Sequence, residues 1–241
     1  MKTSLIAFVL LTIFSSCGEL ESSQTQTLFD QPQPADVKNT TELGKKIQGT
    51  YMNQKIHISQ DSSGFYSDTT FLQVYSNSIL SVSRFFLKQH RRDLDLPDSV
   101  KKLNNTALLS YVTKEEGLTK AYFVADTLFC FTQISDTILK LSAPTILRYY
   151  KGSYFINTPV EPSGWEVMRL TPKKNYLLVS YLYAEDSITT DIEQITPVKV
   201  TTYEQDSSSY TFTSINPSRK EFKKLIKEDL FTTEKVYRKI R

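Results

Sequence analysis

From position 47 onward the chain is written as short runs of β-branched and aromatic residues, interrupted about every ten residues by aspartate, serine, asparagine or lysine. That grammar admits few folds. A strand buries every second side chain, and closely spaced turn signals leave no room for long helices. Among the runs are Phe71-Leu72-Gln73-Val74-Tyr75, Ile79-Leu80-Ser81-Val82-Ser83, and the segments 107–112, 120–124, 127–132 and 137–141. The second half adds Tyr154-Phe155-Ile156 and the segments 165–170, 176–183, 198–203 and 210–215. The expectation is a mainly β protein: an antiparallel β-sandwich or barrel-like meander with one C-terminal amphipathic helix. An aromatic content of 12% suits half-buried pleated surfaces.

The helix is expected over 218–228. Pro217 precedes it, and Ser218 with Glu221 has the spacing of a capping box. Phe222, Leu225 and Ile226 form one apolar stripe at i, i+3 and i+4, while Arg219, Lys220, Lys223, Lys224 and Lys227 take the other faces. A short helical turn is also expected over 98–103, and a closing strand over 232–240. Gly49-Thr50-Tyr51-Met52-Asn53 echoes Gly152-Ser153-Tyr154-Phe155-Ile156-Asn157. Two related halves, about 47–142 and 145–241, are one reading of that echo; the shared grammar of hairpins is the other.

The start of the chain is of a different kind. Lys2 is followed by a run from Leu5 to Phe14 broken only by Thr12, then by Ser15, Ser16 and Cys17. A basic residue, about ten apolar residues and small residues before a cut are the layout of a secretory signal. Crossing the bilayer takes roughly 20 apolar residues, so this run is not read as a permanent span. Phe14-Ser15-Ser16-Cys17 resembles the lipobox of bacterial lipoproteins, although leucine usually stands where Phe14 is. The resemblance covers the first 17 residues and implies acylation (palmitate) of Cys17 after cleavage. An ordinary signal peptide with an incidental cysteine is the alternative. The expected organisation is therefore a signal peptide at 1–16, a lipidated cysteine with a flexible tether at 17–46, and a β-rich domain at 47–241.

The expected location is the cell envelope, anchored by lipid in the outer membrane, on either the periplasmic or the surface face. The tether assignment rests on polar composition, including Ser22, Ser23, Gln24, Gln31, Pro32, Gln33 and Pro34. Glu19 and Glu21 resemble the acidic export signals of Bacteroidetes lipoproteins.

The formal net charge of +3 argues against nucleic acid as a partner. Beyond Cys17 the only cysteine is Cys130, flanked by Phe129 and Phe131, and it reads as an inert buried thiol. His57 and His90 are far apart and do not group with it as zinc ligands. Asp93, Asp95 and Asp98 lack the glycine and distal carboxylate of a calcium loop. No phosphate-cradling loop or nucleophile elbow is present. No catalytic residue, metal ligand or cofactor is assigned.

Five Asp-Ser/Thr triplets stand out, at Asp68-Thr69-Thr70, Asp98-Ser99-Val100, Asp126-Thr127-Leu128, Asp136-Thr137-Ile138 and Asp186-Ser187-Ile188. They resemble the acceptor motif for O-glycosylation in Bacteroidetes, which implies sugar on Thr69, Ser99, Thr127, Thr137 or Ser187. The competing explanation is local: aspartate ends a turn and a β-branched residue begins a strand.

The stretches Gly152 to Asn157, Trp165-Glu166-Val167 and Ile215 to Phe222 resemble a set of uncharacterised Bacteroidetes envelope lipoproteins, whose likeness carries no activity. Gly49-Thr50-Tyr51 weakly resembles the start of lipocalins, without their tryptophan. Three functions follow as expectations. The leading one is a non-enzymatic binding or structural protein of the envelope with a protein or glycan partner. The others are a lipocalin-like carrier of a small apolar ligand and a hydrolase with carboxylates from separated strands.

Overall fold

In a computed structural model, residues 27–58, 64–90, 109–113, 117–141, 144–160, 164–184, 186–205 and 208–240 are described. The protein is mainly β. Its strands are β1 (Leu28–Phe29), β2 (Gly49–Ile58), β3 (Gly64–Val74), β4 (Ser78–His90), β5 (Leu109–Thr113), β6 (Gly117–Val124) and β7 (Thr127–Lys140). They continue with β8 (Ile146–Tyr150), β9 (Ser153–Pro159), β10 (Trp165–Pro172), β11 (Tyr176–Tyr181), β12 (Val198–Gln205), β13 (Ser208–Ile215) and β14 (Thr232–Ile240). Two helices are described, α1 (Asp186–Glu193) and α2 (Arg219–Lys227). The hydrogen-bonded order is β12-β13-β1-β10-β11-β14-β2-β3-β4-β7-β6-β5, with β8 and β9 joined to β10 off this path. The sheet is large and does not close. It is also mixed rather than purely antiparallel, because β1 runs parallel to β13, with Leu28 opposite Ser214.

The chain divides into two compact units, and the division is not the expected one into sequential halves. Among the described residues, one unit holds 54–58, 64–71, 81–90, 109–113 and 117–136; the other holds 27–53, 72–80 and 137–240. Strands β2, β3, β4 and β7 each contribute residues to both. A boundary placed between 142 and 145 misses this because long strands, not a linker, join the units.

The first unit contains the β5–β6–β7 meander, in which Ala121 pairs with both Leu109 and Cys130. Phe86 stacks at 5.8 Å from Phe65 and 6.4 Å from Phe129. Arg84 lies 5.0 Å over the Phe71 ring and donates to Gln133 at 3.1 Å. Cys130 is buried, and burial pushes its thiol up to about 11, against a smaller lowering by the Thr132 hydroxyl.

In the second unit, β9, β10 and β11 have apolar residues on both faces. Ile156, Met168, Leu170, Leu177 and Val179 point into one cluster with Leu43, Ile47, Tyr51, Leu72, Ile79, Leu139 and Tyr237. Alternate residues Phe155 of β9 and Val167 of β10, and Leu182 just after β11, belong to the other, with Phe29, Ile192, Ile215, Phe222, Leu225 and Phe231. Strands that bury both faces read as continuous apolar runs. The β8–β9 hairpin closes on Lys151 and Gly152, with φ of 51° and 81°. Two successive positive φ values define a tight turn whose twist suits the strands, and glycine takes the second at no steric cost.

Helix α2 carries the expected cap: the Glu221 amide donates to Ser218 Oγ at 3.4 Å, and the Ser218 amide donates to Glu221 Oε2 at 2.7 Å. Phe222 and Leu225 bury its apolar stripe. Phe155, Phe222 and Phe231 meet edge to face at 5.2 to 6.0 Å, and Phe29 joins Phe222 at 6.1 Å. Helix α1 was not expected; Ile192 anchors it in the same cluster.

The tether assignment is corrected for residues 27–46. Leu28 and Phe29 form a strand, and Leu28, Phe29, Gln33, Ala35 and Leu43 are buried. Arg148 Nη1 donates to the carbonyls of Pro32 (2.6 Å) and Pro34 (2.7 Å), and its Nε donates to Asn39 Oδ1 at 3.1 Å. Most polar side chains of this segment stay exposed, while the buried Gln33 and the carbonyls of Pro32 and Pro34 are paired with Asn157 and Arg148 of the same unit. The expected helical turn at 98–103 lies outside the described residues.

Candidate functional site

The β10–β11 hairpin turns through Lys174 and Asn175, closed by the Lys173 amide donating to the Tyr176 carbonyl at 2.8 Å. The Asn175 carbonyl then accepts the Lys239 amide at 2.8 Å, which fastens the end of β14 to the turn. Register follows: Tyr176 pairs with Arg238, and Arg238 pairs with Met52. Neighbouring strands place such partners' Cβ atoms about 5 Å apart.

Alternation decides which way these side chains point. Leu177, Tyr237 and Tyr51 enter the core, so Tyr176, Arg238 and Met52 face the opposite side. Leu178, Val236 and Ile240 share that face by the same parity. Tyr176 and Val236 are each 45% exposed. Met52, Asn175, Tyr176, Arg238, Lys239 and Ile240 line an open groove of about 710 Å³.

Its lining holds two cations and no carboxylate among the described residues. Lys239 is held in place, its Nζ donating to the Gln48 carbonyl at 3.0 Å and lying 5.5 Å over the Tyr51 ring. Arg238, Asn175 and the Tyr176 hydroxyl make no side-chain hydrogen bond or ion pair to other described residues. They are available to a partner.

A second grouping lies at the rim of the first core. Tyr181, Glu234, Lys235 and Tyr237 line a recess of about 60 Å³ with Leu72, Ile79, Ile138, Met168, Leu170 and Val179. Burial, reinforced by Glu234 and Glu166, pushes the Tyr183 hydroxyl up to about 12, and Tyr183 hydrogen bonds Glu234. Tyr181 is raised further, by burial first and then by Glu166 and Glu234. The recess is small, whereas sites for small apolar ligands run to several hundred Å³.

Of the residues singled out in the sequence, Thr69 is half-buried in β3, Thr127 opens β7 beside the exposed turn of Ala125 and Asp126, and Thr137 is exposed within β7. Ser187 lies in α1, its side chain outside the described residues. Cys17 and Ser99 lie outside them altogether. The hydroxyls are spread over β3, β7 and α1 and form no common site.

His57 is in β2 with its side chain undescribed, and His90 ends β4 half-buried with a partner. Among the described residues no cluster of three or more His, Cys, Asp or Glu is placed to hold a metal ion. No described helix is long and apolar enough to cross a membrane. The groove residues were not foreseen. Asn175 is visible as a turn residue, but the pairing that sets Tyr176 beside Arg238 spans 62 positions and has no local signal.

No family model, curated protein or solved structure matches the chain.

Proposed function

We propose that the protein is a non-enzymatic binding protein of the cell envelope, held on the membrane by lipid on Cys17, with the Tyr176–Arg238–Met52 face as its binding surface. The single observation that carries this reading is the open groove whose polar groups, Arg238, Asn175 and the Tyr176 hydroxyl, have no partner among the described residues. Polar groups at the core of the second unit are, by contrast, mostly paired, and the recess at its rim is small. A recess of this size does not suit a carrier of a small apolar ligand, and the exposed face suits a surface binder.

Anchorage rests on the lipobox resemblance at Phe14-Ser15-Ser16-Cys17. Two or more acyl chains, at ~0.8 kcal/mol per buried methylene, anchor a protein stably. Modification of the Asp-Ser/Thr triplets fits the same compartment, and Thr127 and Thr137 are its best-placed described acceptors. For the architecture we propose a sandwich-like stacking in the second unit, supported by the two buried clusters that β9 and β10 feed from alternate residues.

Cosedimentation with envelope fragments tests the binding surface. The purified protein is expected to sediment with the fragments, and Tyr176→Ala combined with Arg238→Gln to reduce retention about tenfold. Equal retention of the doubly substituted protein overturns the reading.

A further inference from the structure

We infer that the groove takes a carboxylate-bearing glycan, a chain of uronic-acid type, with Tyr176 as the stacking platform and Arg238 as the carboxylate fork. This rests on the reading of that face as the binding surface.

Three observations converge. The groove is open to solvent rather than enclosed, so a ligand larger than a single small molecule can enter it. Its lining is cationic without a carboxylate among the described residues, and Lys173 and Lys174 stand exposed in the adjoining turn, so the charge complement of a partner is negative. Tyr176 and Arg238 occupy paired positions on adjacent strands, so an aromatic face and a guanidinium lie side by side.

A pyranose ring has that same division. Its axial C–H groups form an apolar face that packs on an aromatic ring, while an equatorial carboxylate projects sideways. Arginine grips a carboxylate with two parallel N–H···O bonds, a geometry lysine does not reproduce. Asn175 supplies an amide donor and acceptor for ring hydroxyls. Met52 and Ile240 add apolar lining.

An acidic peptide shares the charge but not the flat apolar face. A neutral glycan shares the face but leaves Arg238 without a counter-ion. Isothermal titration therefore compares three probes: tetragalacturonate, maltotetraose and tetraglutamate. Tetragalacturonate is expected to bind, with affinity falling about tenfold on Tyr176→Ala and on Arg238→Gln, and falling less on Arg238→Lys, which keeps the charge. Unchanged thermal midpoints certify that these exposed substitutions leave the fold intact. No binding of tetragalacturonate, binding insensitive to both positions, or equal affinity for tetraglutamate or maltotetraose overturns the inference.

Cosedimentation separates the two failures. Retention that still depends on Tyr176 and Arg238 leaves the binding surface standing with a different ligand. Retention independent of them removes the surface itself.

Discussion

Asn157 and Gln33, 124 residues apart, exchange hydrogen bonds inside the second unit with both side chains fully buried. The Gln33 amide donates to Asn157 Oδ1 at 2.5 Å, and Asn157 Nδ2 donates to the Gln33 carbonyl at 2.9 Å. One side chain thus does for the 27–40 segment what a neighbouring strand would do. Asn157→Leu leaves a buried amide and a buried carbonyl unpaired, at roughly 1–3 kcal/mol each. We expect a loss of about 2–4 kcal/mol in urea unfolding, with early proteolysis between 30 and 40. A loss below ~1 kcal/mol would show the segment to be held by other contacts.

Phe222 is fully buried and touches Phe29, Phe155 and Phe231. Phe222→Ala removes the common member of three edge-to-face contacts and leaves a cavity between α2 and the sheet. The expected cost is about 3–5 kcal/mol, read from chemical denaturation. Phe222→Leu keeps most of the volume and is expected to cost less than half of that.

At the start of α2, the hydrogen bonds from Ser218 hold the Glu221 carboxyl below its usual range, the Lys224 charge adding a smaller lowering. A carboxylate with a depressed folded pKa adds stability above its unfolded value and loses it as pH falls through the folded one. Glu221→Ala, which removes the carboxylate that accepts the Ser218 amide, is therefore expected to cost about 0.5 kcal/mol at neutral pH and progressively less in acid, where the parent Glu221 is protonated. A pH-independent difference in denaturant midpoint would contradict the reciprocal cap.

Much of this fold is legible in the sequence, and the reasons differ by element. β14 and β10 are local: turn residues and alternation fix them within a residue or two. α2 is legible because capping box and apolar stripe agree. α1 and the turn after it carry apolar residues as well, Ile188 and Ile192 with Ile195, but Asp186-Ser187-Ile188 also satisfies a turn-and-strand reading, and tertiary packing decides. The strap at 27–46 looks like a linker because its order comes from Arg148 and Asn157, more than a hundred positions away. The binding face is invisible for the same reason: strand register is a property of pairs, and no single segment states it.

Tyr183 gives an alkaline test. Its folded pKa is raised to about 12, so its contribution to stability is present below the unfolded value near 10 and is lost as pH rises through about 12. Glu234→Gln removes a negative neighbour, and the phenolate absorbance of Tyr183 is then expected to appear at lower pH. An unmoved titration would leave burial and Glu166 as the causes and remove Glu234 from the account.

The most direct test of the binding surface is hydrogen–deuterium exchange of the purified protein, with and without envelope fragments. We expect slowed exchange at 174–178, 236–240 and 50–53, the segments that carry Asn175, Tyr176, Arg238, Ile240 and Met52. Unchanged exchange there, with protection confined to other strands or to none, would contradict the account.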